Sequence, residues 1–178
     1  MKHNIDHWDS FFSDIEEREI LGKFDYYPWR MTGLTDSNDP NSIIFWYKEL
    51  EEFTELRVLL ENKMKEHLKK DIQLMALYAN GQTHSQCGSP HQDWHMDDGD
   101  PATYYTLLIY IHKQWKPIYG GHTIFMDNTG NEMIASIWPK SNTAVLFDSS
   151  IVHAGLEPTI HCKNNMRQSL AFKFKVYE

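Results

Sequence analysis

Downstream of Asp71 the chain breaks into short apolar and aromatic runs separated by turn residues, and this pattern limits the possible folds more than any other feature. The runs fall at 72–79, 91–96, 103–111, 122–126, 132–138, 143–147, 151–154 and 166–177. Between them lie Asn80-Gly81, Asp97-Asp98-Gly99-Asp100-Pro101, Tyr119-Gly120-Gly121, Asn128-Thr129-Gly130 and Pro139-Lys140-Ser141-Asn142. Turn chemistry at this spacing, with no helical period between the runs, excludes a parallel sheet built from βαβ units. It predicts a sandwich, jelly roll or barrel.

Upstream of Lys70 the period changes. Leu50, Phe53, Leu56, Leu60, Met64 and Leu68 recur at steps of three and four, which predicts one helix with a single apolar stripe. Lys63, Lys65, Lys69 and Lys70 gather toward its end, where the helix dipole favours cations. A shorter helix is expected over 6–19, carrying Trp8, Phe11, Phe12 and Ile15, and an irregular edge strand or loop over 24–32, which Pro28 interrupts. The expected fold is mainly β with N-terminal helices. All 178 residues form one domain, with helical support over about 1–70 and a β-barrel over about 71–178.

A formal charge of −8 argues against a partner recognised through its phosphates. Cys87 and Cys162 are far apart, so neither a disulfide framework nor a structural zinc site is expected. No signal-like N-terminal run and no spanning apolar segment is present, which predicts a soluble, cytoplasmic protein without a membrane partner.

The ten histidines point to metal or acid–base chemistry. Two imidazoles and one carboxylate on one face of a metal leave positions open for reactants. His-x-Asp on a strand supplies two such ligands, because alternate side chains point the same way. With this many His and Asp residues, chance alone supplies about 0.7 such motifs. Three occur: His7-Trp8-Asp9, His91-Gln92-Asp93 and His95-Met96-Asp97. The first lies on the expected N-terminal helix, where positions i and i+2 diverge. Strand parity places the other two on one face and does not separate them.

The stretch from about Leu74 to Val176 resembles the double-stranded β-helix, a jelly-roll or cupin-like barrel, of Fe(II)/2-oxoglutarate-dependent dioxygenases, particularly the prolyl-hydroxylase-like branch. The resemblance rests on an ordered set of features. His95-Met96-Asp97 and a turn precede Tyr105–Trp115, similar to a family strand ending in an aromatic residue. Gly120-Gly121-His122-Thr123-Ile124-Phe125, then Asn142–Asp148 leading into Ser150–Gly155, and finally Arg167-Gln168-Ser169 follow in the family's order.

The resemblance implies that His95, Asp97 and His153 bind Fe(II), and that the family's order selects His95 over its rival His91. It implies that Arg167 and Ser169 hold the far carboxylate of 2-oxoglutarate, with Tyr110 as the phenol reaching it and Tyr78 as an alternative. The implied activity consumes 2-oxoglutarate and O2, releases succinate and CO2, and hydroxylates an unactivated C–H bond of a small molecule, peptide or protein, a prolyl residue or amino acid first. Asp97 as a ligand speaks against a halogenase, and the acidic charge against a nucleic-acid demethylase. The alternative is a non-redox cupin-like protein that binds a metal or small molecule and has no need of Arg167. Two polar stretches, 80–90 and 157–165, read either as a substrate lid at the barrel mouth or as ordinary surface insertions.

Overall fold

The computed structural model describes residues 5–35, 42–94, 102–112, 114–163 and 165–177. The N-terminal third is not purely helical. Ile5–Trp8 forms a strand (β1), and the first helix, α1, spans Asp14–Phe24. The start of α1 has a local cause. Ser13 accepts from the Glu16 backbone N–H while the Glu16 carboxylate accepts from the Ser13 N–H, a capping box that satisfies two otherwise free donors. The helix expected over 6–19 therefore begins later, and the segment before it pairs with a sheet edge. His7 thus lies on a strand rather than a helix.

Two further strands follow, Arg30–Gly33 (β2) and Phe45–Glu49 (β3), and then helix α2 over Thr54–Leu68. The apolar stripe of α2 buries Leu56, Leu60 and Met64, and the helix ends at Lys69 in the left-handed region. Two of its terminal cations have partners within the chain: Lys63 meets Glu16 at 3.1 Å and Lys65 meets Asp71 at 3.3 Å.

The remaining strands are Ile72–Gln82 (β4), Thr103–Tyr110 (β5), Thr123–Met126 (β6), Met133–Ile137 (β7), Ala144–Asp148 (β8), His153–Gly155 (β9) and Arg167–Val176 (β10). The expected strand over 91–96 is reduced, in its described part, to an isolated antiparallel bridge between His91 and His153. One sheet has seven strands in the order β1-β8-β5-β10-β4-β3-β2, and the other has three in the order β7-β6-β9. Every strand pairing is antiparallel.

β10 lies at the centre of the larger sheet, and its alternation separates two cores. Leu170, Phe172 and Phe174 face the helices and pack with Leu60, Met64 and Leu107. Ala171 faces the other way, where Leu108, Tyr110 and Val145 meet Phe125 of the small sheet. The polar members of β10 that share this inner face are Arg167, Ser169 and Lys173. The pairing register sets them beside inward residues of β4 and β5: Arg167 opposite Gln82, Ser169 between Asn80 and Tyr110, and Lys173 opposite Thr106. Polar groups on this inner face are the raw material of a site. Among the described residues, no helix is long and apolar enough to cross a membrane.

Candidate active site

His91, Asp93 and His153 converge at one end of the inner cavity, with ligand atoms all within 4.8 Å of one another. Backbone pairing does the positioning. His91 N–H donates to His153 O at 3.0 Å and His153 N–H donates to His91 O at 2.9 Å, so the two rings lie 4.5 Å apart. Asp93 and Trp94 both donate backbone N–H to Ser149 O, at 2.9 and 3.2 Å, which turns the chain so that the Asp93 carboxylate faces both rings.

Both imidazoles are oriented the same way. His153 Nδ1 lies 3.0 Å from Ile151 O, and His91 Nδ1 lies 2.9 Å from Ser89 O. A carbonyl oxygen only accepts, so each Nδ1 carries the hydrogen, and in its neutral form each ring presents a lone pair at Nε2. The two Nε2 atoms lie 3.5 and 3.6 Å from the Asp93 oxygens. Burial against Phe147 and Phe125 pushes the His153 pKa down to about 4 in spite of Asp93, so the ring is neutral near pH 7. Burial opposes ionisation of Asp93 as well, yet His91, His153 and Lys173 outweigh it and hold the carboxyl well below the usual range. Two outward Nε2 lone pairs and one carboxylate, with both Nδ1–H groups anchored, suit a divalent metal such as Fe(II).

Asp93 has two further partners. Thr106 Oγ1 donates to Oδ2 at 2.7 Å, and Lys173 Nζ lies 2.7 Å from Oδ1. Lys173 also sits 5.2 Å from the centre of the Tyr78 ring.

At the other end of the cavity is Arg167, only 2% exposed. Its Nε donates to Gly121 O at 2.7 Å, Nη1 to Gln82 Oε1 at 2.8 Å and to Ser169 Oγ at 3.3 Å, and Nη2 to Thr123 Oγ1 at 2.7 Å. Tyr110 donates its hydroxyl to the same Thr123 oxygen at 2.7 Å, and its ring centre lies 5.3 Å from the guanidinium carbon. Gly121 has φ of +73°, and a Cβ there would lie 3.2 Å from Arg167 Cδ. Both the turn and the fit of the arginine therefore need glycine. Each of these partners of Arg167 is neutral, and among the described residues no carboxylate faces it. A buried guanidinium lacking a counter-ion is costly unless an anion joins it. A dicarboxylate such as 2-oxoglutarate fits that requirement.

The structure thus brings together three of the residues expected around the cosubstrate, Arg167, Ser169 and Tyr110. Tyr78 lines the same inner cavity, with its ring against Lys173. His153 occupies the metal end. The expected ligands His95 and Asp97 lie outside the described residues; among the described residues, the His-x-Asp pair that meets His153 is His91 and Asp93. The order of motifs along the chain favours His95; the cross-strand bridge brings His91 to His153. Sequence reasoning also missed Lys173, Gln82 and Thr123. Lys173 and Gln82 carried a readable signal, since each shares strand parity with a residue already singled out, Arg167 and Tyr78. Thr123 carried none, because its partners come from other strands. Of the remaining histidines, His112 is buried. Its Nε2 donates to Pro139 O, and burial lowers its pKa to about 4.

The two polar stretches flanking this end touch each other. The first of them begins inside β4, which runs on to Gln82. Ser85 N–H donates to the Glu157 carboxylate, and His84 Nδ1 donates to Pro158 O at 3.1 Å.

Comparison with known proteins adds independent information. Residues 74–174 match the model of the 2OG-Fe(II) oxygenase superfamily. No curated protein sequence matches the chain. Among solved structures, a prolyl hydroxylase from Trichoplax adhaerens, in complex with a hypoxia inducible factor peptide fragment, superposes with a TM-score of 0.69 at 15% identity, over 99% of this chain and 84% of that one. The viral collagen prolyl hydroxylase of Paramecium Bursaria Chlorella virus-1, in a 2OG complex, gives 0.62 at 17% identity over 96% and 95%. A Pseudomonas putida prolyl-4-hydroxylase gives 0.59 at 15% identity over 99% and 94%. At these identities the structural likeness concerns the fold, whereas the family match covers more than half of the chain. The chain belongs to the 2OG-Fe(II) oxygenase superfamily and is a 2-oxoglutarate-dependent dioxygenase whose cofactors are Fe(II), 2-oxoglutarate and O2.

Proposed function

We propose that this dioxygenase hydroxylates an unactivated C–H bond, of a prolyl residue or an amino acid, with release of succinate and CO2. The observation that carries the reading is the buried guanidinium of Arg167, which no carboxylate among the described residues pairs, set in one cavity with the His91–Asp93–His153 group. We take His91, Asp93 and His153 as the metal ligands, in place of the expected His95 and Asp97. Arg167 takes the far carboxylate of 2-oxoglutarate through its planar fork, and Ser169 and Thr123 offer hydroxyls beside it. Tyr110 acts on that carboxylate through Thr123, to which its hydroxyl is bonded. When bound, Fe(II) and 2-oxoglutarate supply the oxidant from O2. The chain's own share is orientation and exclusion of water: Thr106 and Ser149 hold Asp93, Phe125 and Phe147 screen His153, and the Gln82–Gly155 contacts hold the wall beside Arg167.

We further take the two sheets as a double-stranded β-helix barrel and residues 1–178 as one domain. A prolyl or amino-acid substrate draws support from the structural relatives, one of which is a prolyl hydroxylase solved with a peptide. The cupin-like alternative gives Arg167 nothing to bind, and family membership also speaks against it.

The test uses anaerobic Fe(II)-loaded protein. Adding 2-oxoglutarate is expected to produce the visible absorption band of an Fe(II)–2-oxoglutarate chelate, and admitting O2 to produce succinate without added substrate. His91→Ala and His153→Ala are each expected to abolish the band, while His95→Ala keeps it. Absence of both band and succinate from the wild-type protein would overturn the reading. Loss of iron in His95→Ala but not in His91→Ala would return the ligand set to His95 and Asp97.

A further inference from the structure

The cavity has a second cationic end that the cosubstrate does not use. Beyond the metal group it opens into a space of about 490 Å³, bordered by Tyr47, Tyr78, Gln92, Asp93 and Lys173. This is the size range of small-molecule sites. His91 and Asp93 line both this outer space and the inner one, whereas Arg167 and Ser169 line only the inner one and Lys173 only the outer. The metal group therefore lies between two cations, each on the inner face of β10. The rings of Tyr47 and Tyr78, 5.3 Å apart, form a wall beside Lys173.

Charge counting gives the outer cation a role. Among the described residues, the one carboxylate paired with Lys173 is Asp93, whose oxygens also face both histidine Nε2 atoms. A divalent ion takes up the charge of Asp93 and leaves Lys173 beside a dication. The 2-oxoglutarate dianion offsets Arg167 and one further positive charge. Among the described residues, one positive charge is then left in a half-buried cleft, where an unpaired ion is disfavoured. A residual charge of one matches a carboxylate better than a phosphate dianion.

Resting on the cosubstrate reading above, we propose that Lys173 is the binding group for a carboxylate of the substrate, so that the molecule oxidised is a small organic acid such as a free or N-acylated amino acid, and not an internal peptide segment. The carboxylate pairs with Lys173 over the Tyr47–Tyr78 wall, which holds the carbons near it toward the metal group.

The test separates this reading from the one beneath it. Zn(II) is not redox-active and holds the complex still. Zn(II)-loaded protein is first titrated calorimetrically with 2-oxoglutarate. The saturated complex is then titrated with a set of free and N-acetyl amino acids and with the matching N-acetyl amino-acid amides. At least one acid is expected to bind, at least tenfold more tightly than its amide. Lys173→Met is expected to weaken that acid at least tenfold and Lys173→Arg to retain it. Zn(II) affinity in Lys173→Met is expected to be equal or tighter, because a like charge beside the metal is gone. Binding of no acid, equal binding of the amide, full acid affinity in Lys173→Met, or weakened Zn(II) binding in that variant each overturns the proposal; the last would make Lys173 a support for Asp93. A wild-type protein that takes up no 2-oxoglutarate overturns both readings. One that takes it up and binds no acid overturns this one alone.

Discussion

Arg167 concentrates the chemistry of the molecule at the scale of one residue. Four hydrogen bonds hold its fork, every partner is neutral, and the charge remains to be matched by a ligand. Removing one member of a buried, hydrogen-bonded charge pair costs about 2–5 kcal/mol. Arg167→Met is therefore expected to weaken 2-oxoglutarate binding by roughly 100-fold. Arg167→Lys, which keeps charge but loses the fork, should fall between. Titration of 2-oxoglutarate into the Zn(II)-loaded variants measures both. The residue type and its offset from Ser169 were legible in the sequence, because a carboxylate-binding fork on an alternating strand needs nothing from elsewhere in the chain. Its partners Gly121, Thr123 and Gln82 come from distant segments, and strand pairing alone brings them to it.

Among elements, β3 carries an unusual group. Lys48 is buried, donates to Phe24 O at 2.9 Å, and lies 3.7 Å from the Phe24 ring centre and 4.6 Å from that of Trp29. Burial lowers its pKa from 10.5 to about 8. The unfolded chain thus holds more protons than the folded one between about pH 8 and 10.5, so this residue makes stability rise with pH through that window. Below it the cost of the buried charge is present in full. Denaturant unfolding of the wild type and of Lys48→Met should show that difference; parallel pH profiles would contradict it. The long strands and α2 were readable from their periods, since β10 alternates and α2 repeats at helical steps. The segment over 5–8 was not, because its strand state depends on the open edge of β8, some 140 residues away.

Over the whole molecule, the site ties the two sheets together. β9 belongs to the small sheet and β10 to the large one, and His153 and Arg167 reach one cavity from opposite sides. A metal and cosubstrate spanning that gap bind the folded state alone. Together they are expected to raise the melting temperature by more than the metal alone, with ligand at 100 Kd contributing about 2.7 kcal/mol. Scanning calorimetry of wild type and Arg167→Met with Zn(II), with and without 2-oxoglutarate, checks this. The metal-dependent rise should survive in Arg167→Met, and the increment from 2-oxoglutarate should be lost.

The sequence by itself determined the class of this protein. Turn-punctuated strands, one amphipathic helix, a distal histidine and an Arg-x-Ser pair are all local patterns, written in residue type and spacing. What only the tertiary structure decided is that His91 and Asp93 meet His153, and that Lys173 faces Asp93. Two His-x-Asp pairs four residues apart have the same strand parity, so the sequence treats them alike. The meeting of His91 with His153 rests on a backbone bridge across some sixty residues of chain, which local spacing does not carry.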